Sequence, residues 1–511
     1  MPEPKPKPIL LSRATFLWKF LMLIGVIAGG LIVWLGVWAL PAQTAFPGHR
    51  AYFPFMAKEF PHIIGDDFFI GCAMAHCTPN MSDNAHMELP VGDVARIWGP
   101  DHAAGGSTYG VGCTSNTKIA ACAYYAALTV YDGAGNIQWQ KDLGPATWTS
   151  APIVTPFNTV VAASAGKLVH YDRMGKEMWA DTNFQGFAIS PVILQPQAVL
   201  VVATGGGELI AFDLWTGERL AGPMAIMHRE GPDIYPCRTW NTPGVRIGHN
   251  RFYVSTDCSV IGSNASFLMA YDLDLNSQTG FIQAWEFPFA GYSGASPTVI
   301  NDRIYFDGSP LDDVDIPYAF GVRDLGSAGI ELWRHEMNGP IQTSFPHDPR
   351  GGLWVFTWRW ANDNFALHPE VRRLDEFTGN VIQSFRVDEL VADDPENPPP
   401  ATPGSIMTIA DGPDGPVMLI GAMVPLNEDE PLCEVADGWI LAVDLISNLA
   451  LWKVRTPIHD IFTGTREFFP TQYTILNHPA DGRKVVVTAG NCTGALGISY
   501  PFTQSNPQNR R

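Results

Sequence analysis

Residues 72–87 concentrate side chains that hold soft metals: Cys72-Ala-Met-Ala-His76-Cys77, then Met81, His86 and Met87. Thiolate, thioether and imidazole donors suit Cu(I) or Zn(II). In an oxidising compartment the two cysteines instead close a small disulfide loop, and that reading is preferred. Asp272-Leu-Asp274-Leu-Asn276 alternates like a calcium loop, but Ser277 stands where such a loop needs Gly. Gly291-Tyr-Ser293-Gly294 misses the nucleophile-elbow spacing by one place and reads as a turn. Gly205-Gly206-Gly207 precedes a strand, so it is a hairpin turn and no phosphate cradle. No Ser/His/Asp set follows from spacing. No catalytic, cofactor-binding or metal-ligating residue is therefore assigned.

A second set of residues recurs in register. Leu128-Thr-Val-Tyr-Asp132 leads through Gly135 to Trp139, and Leu168–Asp172 leads through Gly175 to Trp179. The same frame places Asp213, Asp272, Asp324, Asp375 and Asp444 before turns, and Trp285, Trp333 and Trp452 after them, with Leu220 and Phe385 where Trp is replaced. Each apolar run is too short for a stable helix and rich in Leu, Val and aromatics, so it reads as a strand. An Asp at a fixed place before a Gly turn caps backbone N–H groups, which is a better account of it than catalysis or metal binding. Trp98, Trp139, Trp179, Trp285, Trp333 and Trp452 are expected to anchor one repeat on the next.

These hairpins cannot bury their own faces and must stack on neighbours. Short runs introduced by Ser150-Ala-Pro152, Ser190-Pro191 and Ala295-Ser-Pro297 precede the frame. They give four strands per repeat at a period of about 40 residues. Seven copies are explicit. An eighth assembles from the two ends: Lys484–Thr488 and Gly494–Tyr500 lack an exit strand, and Val94–Trp98 is an exit strand without a beginning. The expected fold is an all-β, eight-bladed propeller of four-stranded antiparallel blades, with seven blades as the alternative. Joining the termini in one blade removes open edges. Residues 224–248, 392–404 and 425–438 break the period and read as loops on the propeller faces.

Composition agrees: 49 Gly and 42 Pro favour many turns, while 16 Trp and 28 Phe supply a large core. The net charge of −19 excludes nucleic acid and an anionic membrane surface as partners of the body. Residues 1–15 form a Pro/Lys tail. Phe20–Leu40 then runs uncharged for about 21 residues, long enough to cross a bilayer as a helix. Lys5, Lys7, Arg13 and Lys19 precede it, so the tail stays in the cytoplasm and the rest is exported. The expectation is a single N-terminal signal-anchor at 16–40 in the bacterial inner membrane, a linker at 41–65, a periplasmic propeller at 66–503 and a polar tail at 504–511. A cleaved signal peptide is the competing reading. Eight exported cysteines then read as disulfides: Cys72 with Cys77, Cys113 with Cys122, Cys237 with Cys258, leaving Cys433 and Cys492.

The frame Gly207-Glu-Leu-Ile-Ala-Phe-Asp213-Leu-Trp-Thr-Gly217-Glu is similar to the PQQ-type, quinoprotein-like propeller repeat, over about residues 90–500. That resemblance implies either a quinone-dependent dehydrogenase holding PQQ and Ca²⁺, or a non-catalytic scaffold of the BamB kind. Two departures favour the scaffold: no two cysteines are adjacent, and no Cys-x-x-Cys-His is present. The expectation is a scaffold without cofactor, bound to the membrane by its helix and to an envelope or membrane protein by its face loops. The alternatives are a PQQ/Ca²⁺ dehydrogenase feeding electrons to the membrane and a sensor for an unknown small ligand.

Overall fold

Short Val, Ile, Leu and Ala runs between Gly, Asp and Asn turns assemble into eight separate β-sheets in the computed structural model of the chain. The structure describes residues 65–501 except 100–111, 125–126, 144–149, 165, 184–185, 187–188, 196, 261–262, 309–316, 338–340, 342–343, 358–369, 393–401, 404–405, 426–435, 456–471 and 491–493. All described residues fall in the unit Ala57–Arg511. The expected anchor at 16–40, all of the linker but Gly65, the tail at 504–511, Cys433 and Cys492 lie outside them. Among the described residues no helix is long and apolar enough to cross a membrane.

Blade 1 is Gly112–Ser115, Ile119–Tyr124, Ala127–Asp132 and Ile137–Asp142, hydrogen-bonded in that order. Blades 2, 3 and 5 repeat the antiparallel four-strand order over 153–181, 192–225 and 298–336. Blade 3 shows why this sequence makes blades. Its first two strands, Val192–Leu194 and Val199–Ala203, are buried throughout, and only the outermost, Arg219–Ala225, alternates toward solvent. Strands covered on both faces carry continuous apolar runs, so each sheet must pack between two others.

Blade 6 has three described strands, over 353–386, with His347 bridging to Leu353 in place of a full first strand. Blade 7 lengthens its central hairpin, Pro416–Pro425 and Ala436–Asp444, around the expected 425–438 loop. Blade 8 is built from both ends: Thr474–Asn477, Lys484–Gly490 and Gly494–Ser499 are completed by Ala95–Trp98, which pairs antiparallel through Ala95 and Ser499. Eight blades, closed by both ends of the ring segment, match the sequence expectation. One expected loop is corrected. Within 224–248, Met227–Glu230 and Asp233–Arg238 form a hairpin added to blade 4, because Cys237 pairs directly opposite Cys258.

Neighbouring blades meet where the repeat frame places them. Trp98, Trp139, Trp179 and Trp333 donate their indole N–H to carbonyls of the next blade's third turn: Gly133, Arg173, Leu214 and Glu376. Trp285 donates instead to the Asp324 carboxylate at 2.9 Å, and Trp452 to the Pro90 carbonyl at 2.7 Å.

Candidate functional site

The first strand of every blade turns one edge toward the ring axis, and its N–H groups need acceptors there. Residues 71–83 supply them. Gly71 O accepts from Ile475 N of blade 8 at 3.3 Å, Cys72 O from Ser115 N of blade 1 at 2.9 Å, and Ala73 O from Val154 N of blade 2 at 2.7 Å. Pro79 O accepts from Val245 N of blade 4, Asn80 O from Val299 N of blade 5, Ser82 O from His347 N of blade 6, and Asp83 O from Ile409 N of blade 7. The chain thus makes one circuit of the axis and meets seven blades in ring order. Asn84–Glu88 then runs parallel beside Thr408–Asp411 of blade 7 before the chain reaches its closing strand in blade 8.

So tight a circuit constrains the backbone. Cys72, His76, Cys77, Met81, Asp83 and His86 all have positive φ, six of the ten non-glycine residues that do so among those described. Side chains hold the path. Gln472 donates to Met74 O and accepts from His76 N, both at 2.9 Å. Thr298 donates to Met81 O at 3.0 Å, and Ser115 to Gly71 O at 2.7 Å. The Cys72–Cys77 disulfide closes the first half of the loop, and both cysteines are fully buried.

His76, Asp83 and Ser344 meet in this hub. Asp83 sits between them, accepting from the Ser344 hydroxyl on one oxygen and lying 3.1 Å from His76 Nδ1 on the other. The hydroxyl therefore faces a carboxylate, not an imidazole. The serine–imidazole contact of a catalytic triad is therefore not what the hub shows: the imidazole and the hydroxyl meet the same carboxylate from opposite sides. Cys72 and Cys77 are disulfide-bonded and His86 is exposed, so the sequence-derived soft-metal set does not assemble. Among the described residues no group of three His, Cys, Asp or Glu is arranged to hold a metal. A planar quinone on the axis would have to displace residues 71–83, and with them the acceptors of seven blades.

The other expected positions resolve individually. Disulfides join Cys113 to Cys122 and Cys237 to Cys258. Asp132, Asp172, Asp213, Asp375 and Asp444 accept backbone N–H bonds of 2.8–3.0 Å from their own turns. Asp272 departs from the frame: its carboxylate is paired with Arg251, and Asp274 caps the turn through Asn276 N at 3.0 Å. Both carboxylates of the supposed calcium loop are thus engaged. Asp324 does more than cap. Burial pushes its carboxyl up, but bonds from Arg251, Tyr253, the Gly326 N–H and Trp285 hold it below the usual range. Ser293 donates to Asp307 at 2.8 Å, at the turn between blades 4 and 5. Sequence reasoning missed His170, which is fully buried between Thr159 Oγ1 at 2.7 Å and Leu214 O at 3.1 Å; burial lowers its pKa to about 4. It missed the hub as well.

This geometry defines a closed ring whose inner strand edges are bonded by a segment of its own chain. A family model described as outer membrane protein assembly factor BamB, of the PQQ-repeat type, matches residues 93–324, from the closing strand to the third strand of blade 5. Similar solved structures include a europium-containing methanol dehydrogenase, 11% identical over 85% of this chain and 98% of that one, with a TM-score of 0.44. The C-terminal WD40 domain of Sif2 is 9% identical over 80% and 99%, with a TM-score of 0.48. The computationally designed Ika8 protein is 11% identical over 79% and 100%, with a TM-score of 0.44. No curated protein matches the sequence. The chain is a β-propeller, and residues 93–324 of it match a PQQ-repeat family model.

Proposed function

We propose that this protein is a non-catalytic scaffold of the bacterial cell envelope: a periplasmic ring held at the inner membrane by residues 16–40, docking envelope or membrane proteins through its loops. The observation that carries the reading is the occupied axis. A propeller that binds a cofactor in its funnel needs open volume there, and the reading is supported by Gly71–Asp83, which lies along the axis and bonds the inner strands of seven blades. The description of the matching family model, an outer membrane assembly factor, supports a role in protein–protein contact. The departures from the dehydrogenase pattern, no adjacent cysteines and no haem motif, point the same way.

The test is a pair of measurements on protein purified from its native membrane. Absorbance and mass spectrometry after incubation with PQQ and Ca²⁺ are expected to find no stoichiometric quinone, and no dye reduction with alcohols or glucose. Photo-crosslinkers at the flanks of the long blade 7 hairpin, Pro425 and Ala436, are expected to capture a discrete envelope protein. Bound quinone with dye reduction would replace the scaffold by a dehydrogenase whose hub moves aside.

A further inference from the structure

Three disulfides are present among the described residues, and they differ in what brings their cysteines together. Cys113 stands directly opposite Cys122 on adjacent antiparallel strands of blade 1, and Cys237 directly opposite Cys258 in blade 4. Pairing the strands of one blade therefore sets each of these couples face to face. Cys72 and Cys77 lie in no strand and are only five positions apart. A local turn suffices to join them, with Cys77 N donating to Met74 O at 3.0 Å. What encloses them comes from the far end of the chain. They pack with Leu419 and Ile440 of blade 7 and with Ile475 and Leu496 of blade 8. Gln472, at the entry to blade 8, donates to Cys72 Sγ and Met74 O and accepts from His76 N, each at 2.9 Å.

Thiol–disulfide exchange proceeds by attack of a third sulfur on one sulfur of the bond, so its rate depends on access. Cys72 and Cys77 are both 0% exposed. In the closed ring no thiol or disulfide reagent reaches them. The pair precedes every strand of the described chain, whereas Gln472, which covers it, stands 400 positions after Cys72. The two sulfurs are thus accessible early and sealed late. The reduced loop is also harder to build. Cys72, His76 and Cys77 have φ of +79°, +55° and +67°, a region that non-glycine residues enter at a cost. Closing the loop covalently restricts that search before a blade exists. The loop so fixed carries Cys72 O and Ala73 O, the acceptors of blades 1 and 2.

We propose that the reduced Cys72/Cys77 pair is the substrate of a thiol–disulfide exchange that must come before ring closure, and that the oxidised loop is the seed on which the ring closes. The oxidant is a disulfide, protein or small molecule, written R–S–S–R. One cysteine thiolate attacks a sulfur of the oxidant and releases R–S⁻, leaving a mixed disulfide. The other thiolate then attacks the cysteine sulfur so captured and releases the second R–S⁻. The two cysteines lose two electrons, the oxidant gains them, and the two thiol protons end on the two R–SH formed. The step belongs to a compartment that supplies disulfides to an unfolded chain, and it holds whether or not the ring docks partners.

The experiment refolds the full chain in detergent from its reduced, denatured state, with oxidised glutathione as oxidant. Samples are quenched over time, their free thiols alkylated and the cysteines mapped by mass spectrometry, while near-ultraviolet circular dichroism follows the ring. The expected order is Cys72–Cys77 first and the dichroism signal after it. With oxidised glutathione present, Cys72→Ser/Cys77→Ser is expected to regain the signal about tenfold more slowly than the unmodified chain, through the entropy of one short loop. Cys113→Ser/Cys122→Ser is expected to keep the order. In the folded protein, dithiothreitol should reduce Cys72–Cys77 only as fast as urea-dependent unfolding opens the ring. A Cys72/Cys77 dithiol still open to alkylation once the dichroism signal is complete overturns the proposal. So does a Cys72→Ser/Cys77→Ser chain that refolds at the unmodified rate, or reduction of the folded protein at a rate that urea leaves unchanged. If that double variant fails to fold, the order of appearance and the reduction rate, both read on the unmodified chain, decide.

Discussion

At the scale of single residues, the repeat frame is a set of local contracts between one side chain and its neighbour's turn. Gly217 has φ +70, and a Cβ there would lie 2.5 Å from the Trp179 ring. Gly166 has φ +73 and nothing within 4 Å. The variant Gly166→Ala should lose only the left-handed backbone penalty, about 1–2 kcal/mol, while Gly217→Ala should lose at least about 3 kcal/mol as the indole is forced off its site. Equal losses in denaturant melts would show that the Trp contact carries nothing. His170 gives a pH signature. Its folded pKa of about 4 lies below the ordinary 6.5, so the neutral form is the folded one and the unfolded chain binds its proton first. Its contribution is complete above pH 6.5 and is lost as pH falls from 6.5 toward 4, by up to about 3 kcal/mol. A His170→Gln variant should be less stable at pH 7 yet show a flatter stability profile across that window, read as Tm against pH. The capping aspartates were legible in the sequence because their partners lie two to four residues away. Asp272 was misread because its strand runs one residue past it, to Leu273, so the turn closes on Asp274. His170 was illegible because burial between blades leaves no mark on its immediate neighbours.

Among elements, the closing strand was the most legible long-range feature, since a four-residue exit strand with its Trp had no beginning of its own. It also makes the ring's weakest joint testable. Ala95–Trp98 is half-buried, with every residue of intermediate exposure, and Trp98 stacks on Tyr131 at 5.4 Å while donating to Gly133 O at 3.3 Å. Trp98→Phe should keep the stacking and lose about 1 kcal/mol for the bond. Trp98→Ala should lose about 3–5 kcal/mol and raise hydrogen exchange in Gly494–Ser499, its pairing partner, ahead of the other blades. Uniform exchange across all blades would mean that closure is not the joint that opens. The added hairpin of blade 4 was hidden for the opposite reason. Its strands, Met227–Glu230 and Asp233–Arg238, include His, Arg, Glu and Pro. What makes them strands is tertiary: His228 stacks on Phe267 with ring centroids 4.0 Å apart, and Cys237 is tied to Cys258. The pairing of Cys237 with Cys258 was read from the cysteine spacing, but the strands it ties together and the Phe267 contact leave no mark on local composition.

For the molecule as a whole, the open question is whether the ring or its hub comes first in the energy balance. The hub left only a faint trace in the sequence, because backbone carbonyls bond without regard to residue type and their partners lie as far as 404 positions away, Gly71 to Ile475. What was legible, Cys72 and Cys77 in a small loop, gave the staple and not its purpose. Two truncations separate the roles of closure and hub. A chain beginning at Gly65 keeps hub and closing strand and should melt cooperatively near the Tm of the full protein. A chain beginning at Val91 keeps the closing strand, Ala95–Trp98, but strips acceptors from the first strands of seven blades, and each buried N–H left unpaired costs about 1–3 kcal/mol. That sum, about 7–21 kcal/mol, is as large as the whole stability of an ordinary domain, so the second chain should show strand signal by circular dichroism without a cooperative melt. If it melted like the first, water would be satisfying the axis, the ring would stand without its hub, and the filled channel could no longer be the reason to read this propeller as a scaffold.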